Sequence, residues 1–180
     1  MINTPVRWYE AHPERWQREV EAMTGVAPKL AWRDELEDTT GGGWVGTAPD
    51  WPFERDRPPD LDAFLGGGTF SLEVRCSPAH PAAIPGVHPI DPVPDLYVRT
   101  NQAWHVMGDG SLCLLQSALD WTGRELAAEL IVKAAGWYLE FLLLQAERIE
   151  AMTVAGIATD DQLDHHFTAT AGPTGGRSNG

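Results

Sequence analysis

The chain opens on a segment with helical periodicity. In "TPVRWYEAHPERWQREVEAMTG", Trp8, Trp16, Val20 and Met23 recur at roughly helical spacing. Thr4 is placed to cap this segment, and Pro5 suits its first turn. Pro13 falls inside it and predicts a split, because proline has no N–H for the preceding turn. Gly25 is the expected stop. The period returns between Thr122 and Glu150, where Leu126, Leu130, Ala134, Trp137, Phe141 and Leu144 repeat at three and four. Thr122 or Asp120 is placed to cap this second helix, with Glu125 at capping-box spacing from Thr122. It is apolar on more than one face, which predicts a central, well-covered helix.

The middle of the chain, roughly 40–100, has a different rhythm. Short apolar runs are separated by Gly, Pro and Asp. "GWVGTA" and "TFSLEVRC" read as strands; in the second, Phe70, Leu72 and Val74 alternate with polar neighbours. "DLYVRTNQAWHV" reads as a third strand-like run. Between them, "SPAHPAAIPGVHPIDPVP" carries six prolines in 18 residues. Such a segment is expected as an extended surface crossing, neither a helix nor a central strand. The fold class expected from this order is α+β, with an antiparallel sheet packed on helices.

Composition narrows the function classes. The 180 residues suit one domain with a real core, and 43% apolar with 22% charged is a globular balance. A formal charge of −13 repels nucleic acid and anionic membrane surfaces, so neither is an expected partner, while a basic protein is compatible. Two cysteines are too few for a disulfide scaffold. The N-terminal stretch lacks the apolar core of a signal peptide. Glu129, Lys133, Glu140 and Glu147 interrupt the longest apolar region and argue against a membrane span. A cytoplasmic protein with reduced thiols is expected. Residues 1–158 are expected to form the domain and 159–180, ending "TAGPTGGRSNG", a disordered tail. Eight tryptophans are enough to furnish an aromatic docking surface.

Three features invite a chemical reading. "GGGWVG" at 41–46 matches a loose dinucleotide pattern, but "TAPDWP" follows it where a helix would have to open, so a turn before a strand is expected. Cys76, His80, His88, His165 and His166 do not complete a four-ligand set, so no metal is expected, and Cys76 reads as a buried apolar residue. Cys113 differs. "GDG" just before it demands a tight turn, and "SLCLL" then places Leu112 and Leu114 on one side and Cys113 on the other. His105 lies eight residues earlier, close enough to return beside it across the turn.

These residues resemble the ubiquitin-conjugating enzyme family. That family runs as an N-terminal helix, an antiparallel meander, a proline-rich crossing, a histidine-led loop, a glycine, a catalytic cysteine followed by leucine, and a tryptophan eight residues on. Here those positions are His105, Gly110, Cys113, Leu114 and Trp121. The similarity covers roughly residues 43–145 and is specific around 105–121. Where the family has His-Pro-Asn, this chain has His105-Val106-Met107, so the asparagine that stabilises the oxyanion during lysine attack has no counterpart. The pattern is more similar to divergent bacterial members found in antiphage operons. The resemblance implies a thioester at Cys113 with the C-terminus of a ubiquitin-like modifier or of a cGAS-like nucleotidyltransferase. It also implies His105, Asp109 and Gly110 as the supporting loop, a separate activating enzyme as partner, and no cofactor. Two other readings remain open from the residues: an inert binding module of the same fold, and a cysteine hydrolase pairing Cys113 with His105 or His88.

Overall fold

The computed structural model describes residues 6–168. Two helices open it, α1 (Trp8–Ala11) and α2 (Pro13–Val26), divided at His12 with Pro13 in the first turn of α2, as the missing N–H dictates. Four strands follow, β1 (Leu30–Arg33), β2 (Gly43–Thr47), β3 (Ser71–Arg75) and β4 (Gly86–Asp91), with the short α3 (Leu61–Leu65) before β3. They form one open antiparallel meander in the order β1-β2-β3-β4. Two helices complete the set, α4 (Leu96–Thr100) and the 19-residue α5 (Ala127–Gln145). The chain is thus an α+β protein with a four-stranded antiparallel sheet and a long C-terminal helix.

Register puts one sheet face against the helices. Trp32 lies opposite Trp44, Trp44 opposite Val74, and Val74 opposite Val87, so these four share a face. Val74, Leu72, Val87 and Trp44 are buried. Phe70 stacks on Tyr138 of α5 at 4.8 Å and leans on Trp137 at 5.8 Å. A second, smaller core joins Leu139 and Leu143 of α5 to Leu61, Ile157 and Phe167.

Five sequence expectations change here. "DLYVRTNQAWHV" is α4 followed by a single helical turn at Gln102–Trp104, not a strand. Asp95 Oδ1 accepts the Val98 N–H and Asn101 Oδ1 accepts the Ala103 N–H, so local caps override β-propensity. The proline-rich crossing contains β4, with Pro89 on the sheet edge where its missing N–H costs no ladder bond. Thr122 and Glu125 do bond to each other, but α5 begins five residues later, after Gly123 turns the chain at φ +83°. Gly25 lies inside α2, which ends at Val26, and the Thr4 and Pro5 positions fall outside the described residues. Finally, packing continues past 158: Phe167 is buried against Phe64 and Trp51, and Arg55 forms a forked pair with Asp164 at 2.8 and 2.9 Å. The remaining tail positions, 169–180, lie outside the described residues.

The tryptophans serve the interior and none of the eight is exposed. Trp8, Trp16, Trp32 and Trp44 meet mostly edge to face with centroids 4.5–6.0 Å apart. This cluster seals α1 and α2 onto β1 and β2, where edge-to-face pairs add to the burial of large rings.

Beneath it lies a fully buried carboxylate, Glu19. Its Oε1 accepts from Arg15 at 2.6 and 2.9 Å and lies 3.0 Å from His80 Nε2, while its Oε2 accepts the Ala127 N–H at 2.9 Å. Facing a carboxylate, Nε2 carries the hydrogen. Arg15 also donates to the carbonyls of Gly123 and Glu125. One anion therefore joins α2, the proline-rich crossing and the start of α5. Burial alone raises such a carboxyl; the bonds from His80, Ala127 and Arg15 outweigh it and hold Glu19 below its ordinary value.

Because the folded carboxyl is held low, its stabilisation is present above the unfolded value, about 4.3 for glutamate. It is lost as pH falls through the folded value. Thermal unfolding followed by circular dichroism is expected to show a melting temperature that drops below about pH 5. Glu19→Ala, which strands Arg15 and His80, is expected to cost about 3–5 kcal/mol and to flatten this acid limb. An acid limb unchanged in the variant counts against Glu19 as the coupling point.

Candidate active site

After α4, the turn at Gln102–Trp104 delivers the chain to His105, a non-glycine residue in the left-handed region at φ +50°. Trp137 of α5 donates its indole N–H to the Trp104 carbonyl at 2.8 Å, and the Trp104 ring rests on Phe141. The residue before His105 is thereby fixed to α5. The chain then reverses through a tight turn. Met107 N–H donates to the Ser111 carbonyl at 2.8 Å, and Gly110 N–H to the Met107 carbonyl at 2.9 Å. Asp109 Oδ1 accepts both the N–H and the hydroxyl of Ser111, which holds its carboxyl below the usual range. Gly110 sits at φ +88°, and a Cβ there would also meet the Arg99 guanidinium at 3.3 Å. The positive φ is what favours glycine there, since the Arg99 side chain can shift.

The returning arm docks on the sheet edge. Leu112 N–H donates to the Val87 carbonyl of β4 at 2.8 Å, and Val106 bridges Leu112. Cys113 N–H donates to the His105 carbonyl at 2.8 Å. Leu112 is buried, Leu114 is half-buried, and Cys113 between them is exposed, as alternation predicted. Its Sγ has one weak contact, the Leu115 carbonyl at 3.8 Å.

Three clefts meet at this sulfur. The largest, about 560 Å³, runs along α5 past Asp120, Glu125, Glu129 and Lys133 to Val154 and Thr159. A second, of about 230 Å³, is apolar and lined by Ile84, Pro85, Met107, Leu115 and Leu130. A small recess of about 50 Å³ lies between His105, Lys133, Trp137 and the loop at 152–158. Cys113 and Leu114 line all three. The result is an open trough with a thiol at its centre, acidic along one reach and apolar along the other.

The far wall has its own anchor. Glu140, buried in α5, accepts the Thr153 N–H at 2.6 Å, the Thr153 hydroxyl at 2.7 Å and the Ile157 N–H at 2.6 Å. A carboxylate with three donors fixes an irregular loop that would otherwise have no regular pairing. In the sequence Glu140 is an acidic interruption of an apolar run, "WYLEFLLL". That is the available signal of a buried anion waiting for donors, and periodicity gave no role to it or to Lys133.

The structure brings His105 and Cys113 to the same clefts. Asp109 and Gly110 instead shape the turn behind them and do not line the clefts. His88 is on the other face of β4, opposite Glu73 of β3, while its neighbour Val87 faces the apolar cleft. It does not meet Cys113 there. Cys76, at the end of β3, is buried, and burial pushes its thiol up. Gly41–Gly43 lead into β2 without a helix, and a Cβ at Gly43 would collide with the Val74 carbonyl, so close strand approach accounts for that glycine. Among the described residues there is no group of three His, Cys, Asp or Glu placed to hold a metal. No helix among them is long and apolar enough to cross a membrane.

The chain matches no family model, no curated protein and no solved structure.

Two expectations follow from this geometry. Iodoacetamide added to the folded protein is expected to alkylate Cys113 and spare Cys76, so that intact mass shows one added group, rising to two in denaturant. Two groups added at equal rates under native conditions would contradict the burial difference. Glu140→Ala is expected to cost about 2–4 kcal/mol from the stranded donors. Limited proteolysis should then cut near Val154, an exposed residue in the loop that Glu140 secures; cleavage elsewhere first would assign that loop another anchor.

Proposed function

We propose that this chain is a ubiquitin-conjugating-enzyme-like acyl carrier that forms a thioester through Cys113. The observation that supports the reading is the exposed Cys113 at the centre of an open trough, one hydrogen bond from the His105 carbonyl. The element order around it is similar to that family's pattern: a helix, an antiparallel meander whose fourth, edge strand lies in the proline-rich crossing, a histidine-led turn, then the cysteine.

Thioester exchange suits such a site. The Cys113 thiolate attacks the carbonyl of an acyl group carried on an activating enzyme's cysteine. The new S–C bond forms, the old S–C bond breaks, and the departing sulfur leaves as thiolate on that enzyme. The cargo is the C-terminus of a ubiquitin-like modifier or of a cGAS-like nucleotidyltransferase, in antiphage defence. An extended C-terminal tail fits an open trough better than a small ester, which calls for an enclosed pocket. His105 acts here as a brace, since its carbonyl holds the Cys113 N–H and its ring makes no hydrogen bond to Sγ among the described residues. Asp109 and Gly110 set the turn that makes this possible.

The test is capture in the native host under acidic, non-reducing conditions, with intact mass read before and after thiol treatment. Wild type is expected to carry a thiol-labile protein adduct. Cys113→Ser is expected to carry a thiol-resistant ester or none. A bare mass in wild type, with unimpaired biological activity in Cys113→Ser, would leave an inert binding module as the better account.

A further inference from the structure

The trough contains a second nucleophile. The chain has two lysines, Lys29 and Lys133, against eleven arginines. Arginine stays protonated and is no acyl acceptor at neutral pH. Lys29 precedes β1 and lines none of the clefts that meet at Cys113. Lys133 lies on the exposed side of α5 and lines two of those clefts together with Cys113 and His105. Its ammonium makes no hydrogen bond or ion pair with the described residues. Its backbone is fixed within a helix whose neighbouring residues Leu130, Ile131, Ala134 and Trp137 are buried. Glu129, one helical turn earlier, lines the larger cleft beside it.

We propose that Lys133 is an internal acceptor, to which an acyl group carried on Cys113 passes to leave a stable amide. This rests on the thioester reading of Cys113. The ammonium first gives up a proton, to water or to the Glu129 carboxylate. Nζ then attacks the thioester carbonyl, the N–C bond forms and the S–C bond breaks. The acylated Nζ sheds its second proton to water, leaving a neutral amide, while Sγ departs as thiolate and takes up one proton from solvent. Sharing one cleft makes the attack intramolecular; aligned pairs reach effective concentrations on the order of 10⁵ M or more, far above any free amine. Scarcity of other lysines confines self-modification to this position. The product occupies the trough, so each transfer retires one carrier.

The probe is a short peptide ending in Gly-Gly, supplied as a small-thiol thioester to the full-length folded protein. Wild type is expected to gain one acyl group that becomes resistant to thiol and to hydroxylamine, and fragmentation should place it on Lys133. Lys133→Arg is expected to gain the same group but keep it thiol-labile, with a thioester lifetime about tenfold longer or more. Cys113→Ala should not label Lys133, which would establish passage through sulfur. An adduct that forms on Cys113 in wild type and stays as labile as in Lys133→Arg overturns the internal transfer and leaves the carrier reading standing. Failure of folded wild type to take the group on Cys113 at all overturns both.

Discussion

A carboxylate with no exposure to water has to be surrounded by donors, and Glu19 collects them from its own helix and from two distant parts of the chain. Arg15 comes from its own helix, His80 from the crossing before β4, and the Ala127 N–H from the first turn of α5. Each donor fixes a segment that regular pairing leaves free. The crossing is proline-rich and cannot bond into a ladder over most of its length. The first turn of α5 has unpaired N–H groups that need an acceptor, and a negative group there is favoured by the helix dipole. Replacing the charge with an apolar residue would satisfy none of these. Trp8 packs on the His80 ring at 4.4 Å, and with Glu19 and His80 both buried each bond is strengthened.

The trough is downstream of that arrangement. With α5 seated, Trp137 can hold the Trp104 carbonyl and Glu140 can gather the 153–157 loop. With β4 on the sheet edge, Val87 can accept the Leu112 N–H. Cys113 lies between these attachments, and its exposure results from neighbours that are held, not from a loose chain. A thiol on a fixed backbone in an open channel suits exchange between large partners, where access matters more than enclosure.

Much of the fold was legible from the chain. α5 and the split between α1 and α2 follow from periodicity and from Pro13, and β2 and β3 from alternation bounded by glycine and proline. β1 is only four residues, "LAWR", too short for a periodic signal. α4 was hidden because Tyr97 and Val98 favour strands while the deciding caps, Asp95 and Asn101, are single residues. Gly25 lies one residue before the end of α2, which runs to Val26 and closes with the Ala27 N–H on the Met23 carbonyl. For the site, the exposure of Cys113 was readable from the leucines on either side. Lys133 and Glu140 were not, because their importance depends on a loop following α5 that packs back over them, and no local pattern announces such a return.

The span between Glu19 and Ala127 also orders events in time. Their bond closes a loop of 108 residues, so the central link of the domain cannot form until the start of α5 has been synthesised. At the usual pace of about 5–20 residues per second, the ribosome completes α2 at least several seconds before that anchor can close. During this interval Glu19 has only Arg15 and His80 as donors. The last donor to the buried carboxylate is thus acquired late, when translation has passed the start of α5.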